Sequence, residues 1–112
     1  MSNLKTGVIV LTVITALIHL VLGVGQLPNP FGIVFVLNGL GYLALMAGLY
    51  FVPQVANMRS QIRWALLGFT AVTFLGYFIL NQDAFSSPLG LFDKVVELAL
   101  MVLLWMERPK TA

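Results

Sequence analysis

The sequence predicts an all-α protein, a four-helix transmembrane bundle running up-down-up-down with both termini cytoplasmic, and three observations carry that expectation. First, the 112 residues are 60% hydrophobic and 9% charged, with a mean hydropathy of +0.99. Such a chain has too little polar surface to coat a water-soluble globule. Second, four apolar stretches approach the length of roughly 20 residues that a helix needs to cross a hydrocarbon core of about 30 Å. Third, a four-span arrangement gathers the basic residues on one side.

The spans are expected near Thr6 to Val24, Gly32 to Val52, Trp64 to Leu80 and Leu89 to Met106. Between them lie Gln26-Leu27-Pro28-Asn29-Pro30, then Pro53 to Gln61, then Asn81 to Pro88 with its Ser86-Ser87-Pro88. Proline, asparagine and serine in these breaks end helices and favour turns. Connections this short leave consecutive helices antiparallel and adjacent, so residues 1–112 are read as a single transmembrane domain. The first span follows Lys5 as a secretory signal would. It is longer than a signal core and lacks a small-residue cleavage pattern, so it is read as a retained helix.

Orientation follows from the basic residues, because Lys and Arg beside spans are retained in the cytoplasm. Lys5, Arg59, Arg63, Arg108 and Lys110 share one side in the four-span reading, and Lys94 lies toward the other. The same bias accounts for the net charge of +2 and the pI near 9.3. Six basic residues scattered over termini and loops form no nucleic-acid-binding stripe. With no cysteine, thiol relays, thiolate nucleophiles and all-cysteine metal sites are excluded.

Helices in lipid associate through close packing of small residues, so small-residue stripes should mark the inner faces. They are Thr12, Ala16 and Gly23 on span one, Gly41, Ala44 and Gly48 on span two, and Ala65, Gly68 and Gly76 on span three. One such stripe facing outward would instead serve a homo-oligomer or a larger complex. Trp64 and Trp105 fall at the cytoplasmic ends of spans three and four, where amphipathic rings prefer the headgroup level, and are read as membrane anchors.

Inside the spans lie His19, Asn38, Lys94 and Glu97. Polar groups at such depth are costly and need partners or water. At about 1.5 Å per residue, His19, Asn38 and Glu97 each lie roughly 9–12 Å below the outer boundary. Lys94 is one turn from Glu97, Tyr77 can supply a hydroxyl, and Asp93 is placed near the membrane surface. His19, Asn38, Tyr77, Lys94 and Glu97 therefore form one expected polar cluster, to which every helix contributes. His19 is either hydrogen-bonded across helices or a ligand for haem or a chlorophyll-type magnesium. Glu97 either locks its helix in register or carries protons or cations. No metal is expected, since one His and carboxylates on separate helices lack ligand spacing. No phosphate-binding glycine loop and no nucleophile and base pair is present, so no catalytic residue is assigned.

Thr15 and His19 resemble the small-x-x-x-His pattern of antenna polypeptides, which implies a pigment beside His19. Length and span number resemble the small multidrug-resistance exporters, but their first-span glutamate is missing and the nearest substitute, Glu97, belongs to span four. The whole chain is most similar to uncharacterised small prokaryotic four-helix membrane proteins. Ile18-His19-Leu20, Gly39-Leu40-Gly41-Tyr42 and the run from Gly90 to Leu100 carry that resemblance.

The leading expectation is a non-enzymatic accessory or assembly subunit of a bioenergetic or photosynthetic membrane complex, with the lipid bilayer and other membrane proteins as partners. Two alternatives stand beside it. One is a binder of haem, chlorin, quinone or lipid near His19; the other is a small proton-coupled exporter using Glu97.

Overall fold

The structure is a computed structural model that describes residues 3–80 and 88–107. Four helices account for most of them: α1 (Asn3–Gln26), α2 (Pro30–Tyr50), α3 (Arg59–Leu80) and α4 (Pro88–Glu107). A 3-10 segment, Pro53–Met58, joins α2 to α3, and no strand occurs among the described residues. Arg108, Lys110 and the turn residues 81–87 lie outside the described residues.

Helix ends follow hydrogen-bonding chemistry rather than the apolar boundary. The α1–α2 turn is only Leu27 to Asn29, because Pro30 supplies a first helical residue with no N–H to satisfy and Asn29 Oδ1 accepts the Phe31 N–H at 2.9 Å. Pro53 stops α2, whose last turn is closed by the Phe51 N–H on the Ala47 carbonyl at 2.7 Å. The expected break at Pro53 to Gln61 is thus partly helical, and α3 starts at Arg59 rather than Trp64. Arg59 reaches back across this break, its Nε donating to the Leu49 carbonyl at 3.1 Å and satisfying one of the orphan acceptors at the end of α2.

Contacts between helices run in opposite chain directions throughout. Ala16 meets Gly39 and Gly23 meets Gly32 across α1 and α2, and Gly41 meets Phe69 while Gly48 meets Ile62 across α2 and α3. Trp64 meets Trp105 across α3 and α4, while Gly7 meets Leu103 and Thr15 meets Asp93 across α1 and α4. The result is a closed up-down-up-down ring, 42 × 25 × 21 Å, in which α1 packs on α2 and α4, and α3 on the same two helices. Its core centres on Val8, Ala16, Tyr42, Leu49, Leu66 and Leu100.

The small-residue stripes behave differently from helix to helix. On α1, Thr12, Ala16 and Gly23 are buried as expected, and the α1–α2 crossing is so close that a Cβ at Gly32 would lie 2.7 Å from the Gly23 carbonyl oxygen. On α2, Gly41 and Gly48 face α3, but Ala44 between them is exposed. On α3 the expectation fails: Ala65 and Gly68 are exposed, and a Cβ at Gly68 or Gly76 would meet nothing within 4 Å. The inner face of α3 is instead built on larger residues, Leu66 and Thr70, whose hydroxyl is satisfied by the Leu66 carbonyl at 2.7 Å.

Three segments, Asn3–Gln26, Pro30–Tyr50 and Pro53–Leu80, are long and apolar enough to cross a membrane. The fourth expected span does not join them by composition. Helix α4 matches them in length but carries Asp93, Lys94, Glu97 and Glu107.

Candidate functional site

The charges on α4 turn inward. Asp93, Lys94 and Glu97 are 3%, 4% and 0% exposed, while Leu89, Phe92, Val95, Leu98 and Val102 form the outer face of the same helix. The i,i+3 and i,i+4 spacing from Lys94 and Asp93 to Glu97 puts all three on one stripe, opposite Thr15 and His19 on α1. Asp93, which sequence reasoning put near a membrane surface, is therefore a member of the buried cluster.

Hydrogen bonds fix each group. His19 Nδ1 donates to the Thr15 carbonyl at 2.8 Å, one helical turn back, and this leaves Nε2 unprotonated in the neutral ring. The Thr15 hydroxyl donates to Asp93 Oδ1 at 2.5 Å and also lies 3.2 Å from Glu97 Oε2, although it has a single proton to give. Tyr42 on α2 donates to Glu97 Oε2 at 2.8 Å. Lys94 Nζ sits 2.5 Å from Glu97 Oε1 and 3.5 Å from Asp93 Oδ2, and 4.8 Å above the centre of the Tyr77 ring. An edge contact with Phe35 and a tilted one with Tyr42, at centroid separations of 5.6 and 5.8 Å, flank the imidazole.

Of the expected cluster, the fold brings His19, Lys94 and Glu97 into contact distance and adds Tyr77 through its ring face. Asn38 lies apart: its amide donates to Thr73 Oγ1 at 2.8 Å across α2 and α3. Sequence reasoning missed Asp93, Thr15 and Tyr42. The signal for Asp93 was present in its i,i+4 spacing to Glu97, and Thr15 shares the His19 face of α1 by the same spacing. Nothing in the sequence marks Tyr42 except a position one turn after Asn38.

Beside the cluster, toward the α1–α2 turn, a cavity of about 770 Å³ opens among the four helices. His19 and Lys94 form its polar floor, Asn38, Thr73 and Tyr77 its wall, and Gln26 stands near the turn. The rest of the lining is apolar apart from these groups, and neither Asp93 nor Glu97 reaches it. Gly76 and Gly90 are part of the lining: a Cβ at Gly76 would meet nothing within 4 Å, and Gly90 lies against the Tyr77 hydroxyl.

The opposite end of the bundle is polar in another way. Glu107 accepts from the Tyr50 hydroxyl at 2.6 and 2.7 Å and from Arg63 Nε at 3.1 Å, and Lys5 Nζ lies 5.3 Å from the centre of the Tyr50 ring. Lys5, Arg59 and Arg63 thus gather at one end. The half-exposed indoles of Trp64 and Trp105 meet edge to face there, 5.8 Å between centroids.

No protein-family model, no curated protein and no solved structure matches the chain.

Proposed function

We propose that the chain is a four-span membrane protein, termini on the cytoplasmic side, that binds an amphipathic small molecule through a hydrogen-bond-accepting head in the outer half of the bilayer. Support for the fourth span comes from α4 itself: its ionic groups are buried and paired, its outer face is apolar, and its 20 residues rise about 30 Å, one hydrocarbon thickness. The gathering of Lys5, Arg59 and Arg63 at one end supports the orientation through the positive-inside bias.

The observation that carries the binding reading is the cavity and the sign of its polar lining. Its volume is that of a small-molecule site, mostly apolar with a few convergent polar groups. Of those groups the Lys94 ammonium, the Asn38 amide nitrogen and the Thr73 and Tyr77 hydroxyls can act as donors, Asn38 Oδ1 adds one acceptor, and the acids stand behind them with the His19 ring between. A carbonyl-bearing ring such as a quinone fits this polarity. Haem or chlorin is less well supported, since His19 Nε2 faces Asp93 and Glu97 rather than an open axial position. A proton-coupled exporter working through Glu97 is less well supported too, because Glu97 does not line the cavity. The accessory-subunit expectation gains no specific face: large exposed apolar side chains lie on all four helices, as lipid contact alone requires.

The test is equilibrium binding of a benzoquinone carrying a decyl tail to the detergent-solubilised protein. Gly76→Leu fills the cavity from a position where a Cβ meets nothing within 4 Å, so it should block binding while the fold persists. Lys94→Met should weaken binding by at least about tenfold, the loss expected for one charge-assisted hydrogen bond. Binding that is absent in the native chain, or equal in all three proteins, overturns the reading.

A further inference from the structure

We infer that His19, Asp93 and Glu97 form a binding site for one first-row divalent transition-metal ion, of the Zn²⁺, Mn²⁺ or Co²⁺ kind. One ligand atom from each residue lies within 4.8 Å of the other two, and all three side chains are buried. Two observations beyond the acids themselves point to a cation. His19 is 6% exposed, and its Nε2 faces Asp93 Oδ2 at 3.8 Å and Glu97 Oε2 at 3.9 Å. With Nδ1–H committed to the Thr15 carbonyl, Nε2 is the ring nitrogen that faces the two carboxylate oxygens, and in the neutral ring it carries the lone pair a metal needs. Lys94 supplies one positive charge against the two carboxylates, which leaves one negative charge on the His19 side to attract a cation.

Distance decides which positive charge fits. A proton on Nε2 would draw a carboxylate in to about 2.7–2.9 Å, the range of a charge-assisted N–H···O bond. A metal bonded to nitrogen and oxygen at about 2.0–2.1 Å separates the two ligands by roughly 3.3–4.2 Å, from the tetrahedral to the linear angle. The separations of 3.8 and 3.9 Å fall in the second range and outside the first. Three ligands around one ion lie about 3.5 Å apart in a trigonal plane, so binding draws the carboxylate oxygens about 0.3 Å closer to Nε2 and up to about 1.3 Å closer to each other.

The surroundings suit a ligand set. A metal-binding imidazole almost always donates its other N–H to a carbonyl or carboxylate, which aims the lone pair, and the Thr15 carbonyl does so here. Thr15 Oγ1 and Tyr42 Oη donate to Asp93 Oδ1 and Glu97 Oε2 and orient both carboxylates. Lys94 pairs with Glu97 Oε1 and leaves Oε2 facing Nε2, while its Nζ, 3.5 Å from Asp93 Oδ2, shares that oxygen with the ion. Charge also balances. Two carboxylates, Lys94 and a neutral imidazole sum to one negative charge; a divalent ion makes this one positive, and a hydroxide or an anionic head completing the coordination makes it zero. Imidazole with two carboxylates is a donor set for Zn²⁺, Mn²⁺ or Co²⁺ rather than for Mg²⁺ or Ca²⁺, which prefer all-oxygen ligands.

The inference stands apart from quinone binding, since its test reads metal and involves no cavity ligand. Protein stripped with chelator is loaded with excess Zn²⁺ or Co²⁺, passed through gel filtration, and assayed for metal by mass spectrometry. One equivalent per chain is expected in the native protein and in Asn38→Ala, which leaves the three ligands intact. His19→Ala should lose the ion. Thr15→Val, which removes only the hydroxyl that holds Asp93, should weaken binding by about 10–100-fold. Should His19→Ala fail to fold, the Co²⁺-loaded native protein provides a second reading, in visible ligand-field bands that Asp93→Asn alters. Native protein that retains no metal, retention unchanged in a folded His19→Ala, or Co²⁺ bands indifferent to Asp93→Asn each overturns the inference.

Discussion

Replacing Gly39 with alanine tests whether the α1–α2 crossing is the tightest part of the bundle. A Cβ at Gly39 would lie 2.8 Å from the Ala16 carbonyl oxygen and 2.8 Å from Leu20 Cγ. Leu20 can rotate away, but Ala16 O belongs to the α1 backbone. Since carbon-to-oxygen contacts between helices settle at about 3.3–3.6 Å, the two helices must part by roughly half an ångström. A gap of that size already forfeits about a quarter of the dispersion attraction of each facing atom pair, and the loss spreads to the equally close Gly23–Gly32 contact. Overpacking of this kind costs about 1–3 kcal/mol. Gly68→Ala is the matched control, because its Cβ meets nothing within 4 Å on the exposed side of α3. There the added methyl should be neutral or slightly stabilising, through helix propensity alone. Stability would be followed by far-UV circular dichroism as sodium dodecyl sulfate is titrated into mild-detergent micelles. Equal midpoints for the two variants would refute the reasoning, as they would mean that α1 and α2 do not cross this closely.

Two further outcomes are expected. Tyr42→Phe and Glu97→Gln, measured singly and together in the same metal-free unfolding assay, should show a coupling of about 0.5–1.5 kcal/mol, because polar contacts between membrane helices average about 0.6 and reach about 1.7 kcal/mol; strict additivity would mean that the 2.8 Å hydrogen bond does not form. Because the chain has no cysteine, Asn29→Cys provides a single label site in the α1–α2 turn. It should react with an impermeant reagent from outside intact cells, and labelling only after lysis would reverse the proposed orientation.

Much of the fold was legible because apolar length and turn chemistry are local properties. Pro28, Asn29 and Pro30 mark one turn and Pro53 another, and each acts through its own backbone. Helix starts were less legible. Apolarity marks where a span would meet water, whereas a helix continues as long as its backbone groups find partners, and Arg59 to Arg63 continue α3 well past the apolar edge. The α3 stripe misled for a related reason. Small residues permit close approach without causing it, and Gly68 and Gly76 keep that possibility unused while Leu66 and Thr70 make the contacts.

The site was legible by depth and illegible by angle. Counting residues from the span boundaries brought His19 and Glu97 to one level, because rise per residue is nearly constant along a helix. Which residues of that level face one another depends on how each helix is rotated, and an apolar helix carries little in its sequence to set the rotation. Helix α4 is the exception. Asp93, Lys94 and Glu97 fall on one stripe, and a stripe of charges in an otherwise apolar helix has only one affordable direction, inward to partners. Followed through, that argument places Asp93 beside Glu97 before any coordinates are known. It also explains how α4, too charged to resemble a span by composition, presents as apolar an outer face as its three neighbours. The charges that separate it from them are the ones its neighbours hold: Thr15 and His19 on α1 and Tyr42 on α2 hold Asp93 and Glu97, the Tyr77 ring on α3 faces Lys94, and Tyr50 and Arg63 hold Glu107.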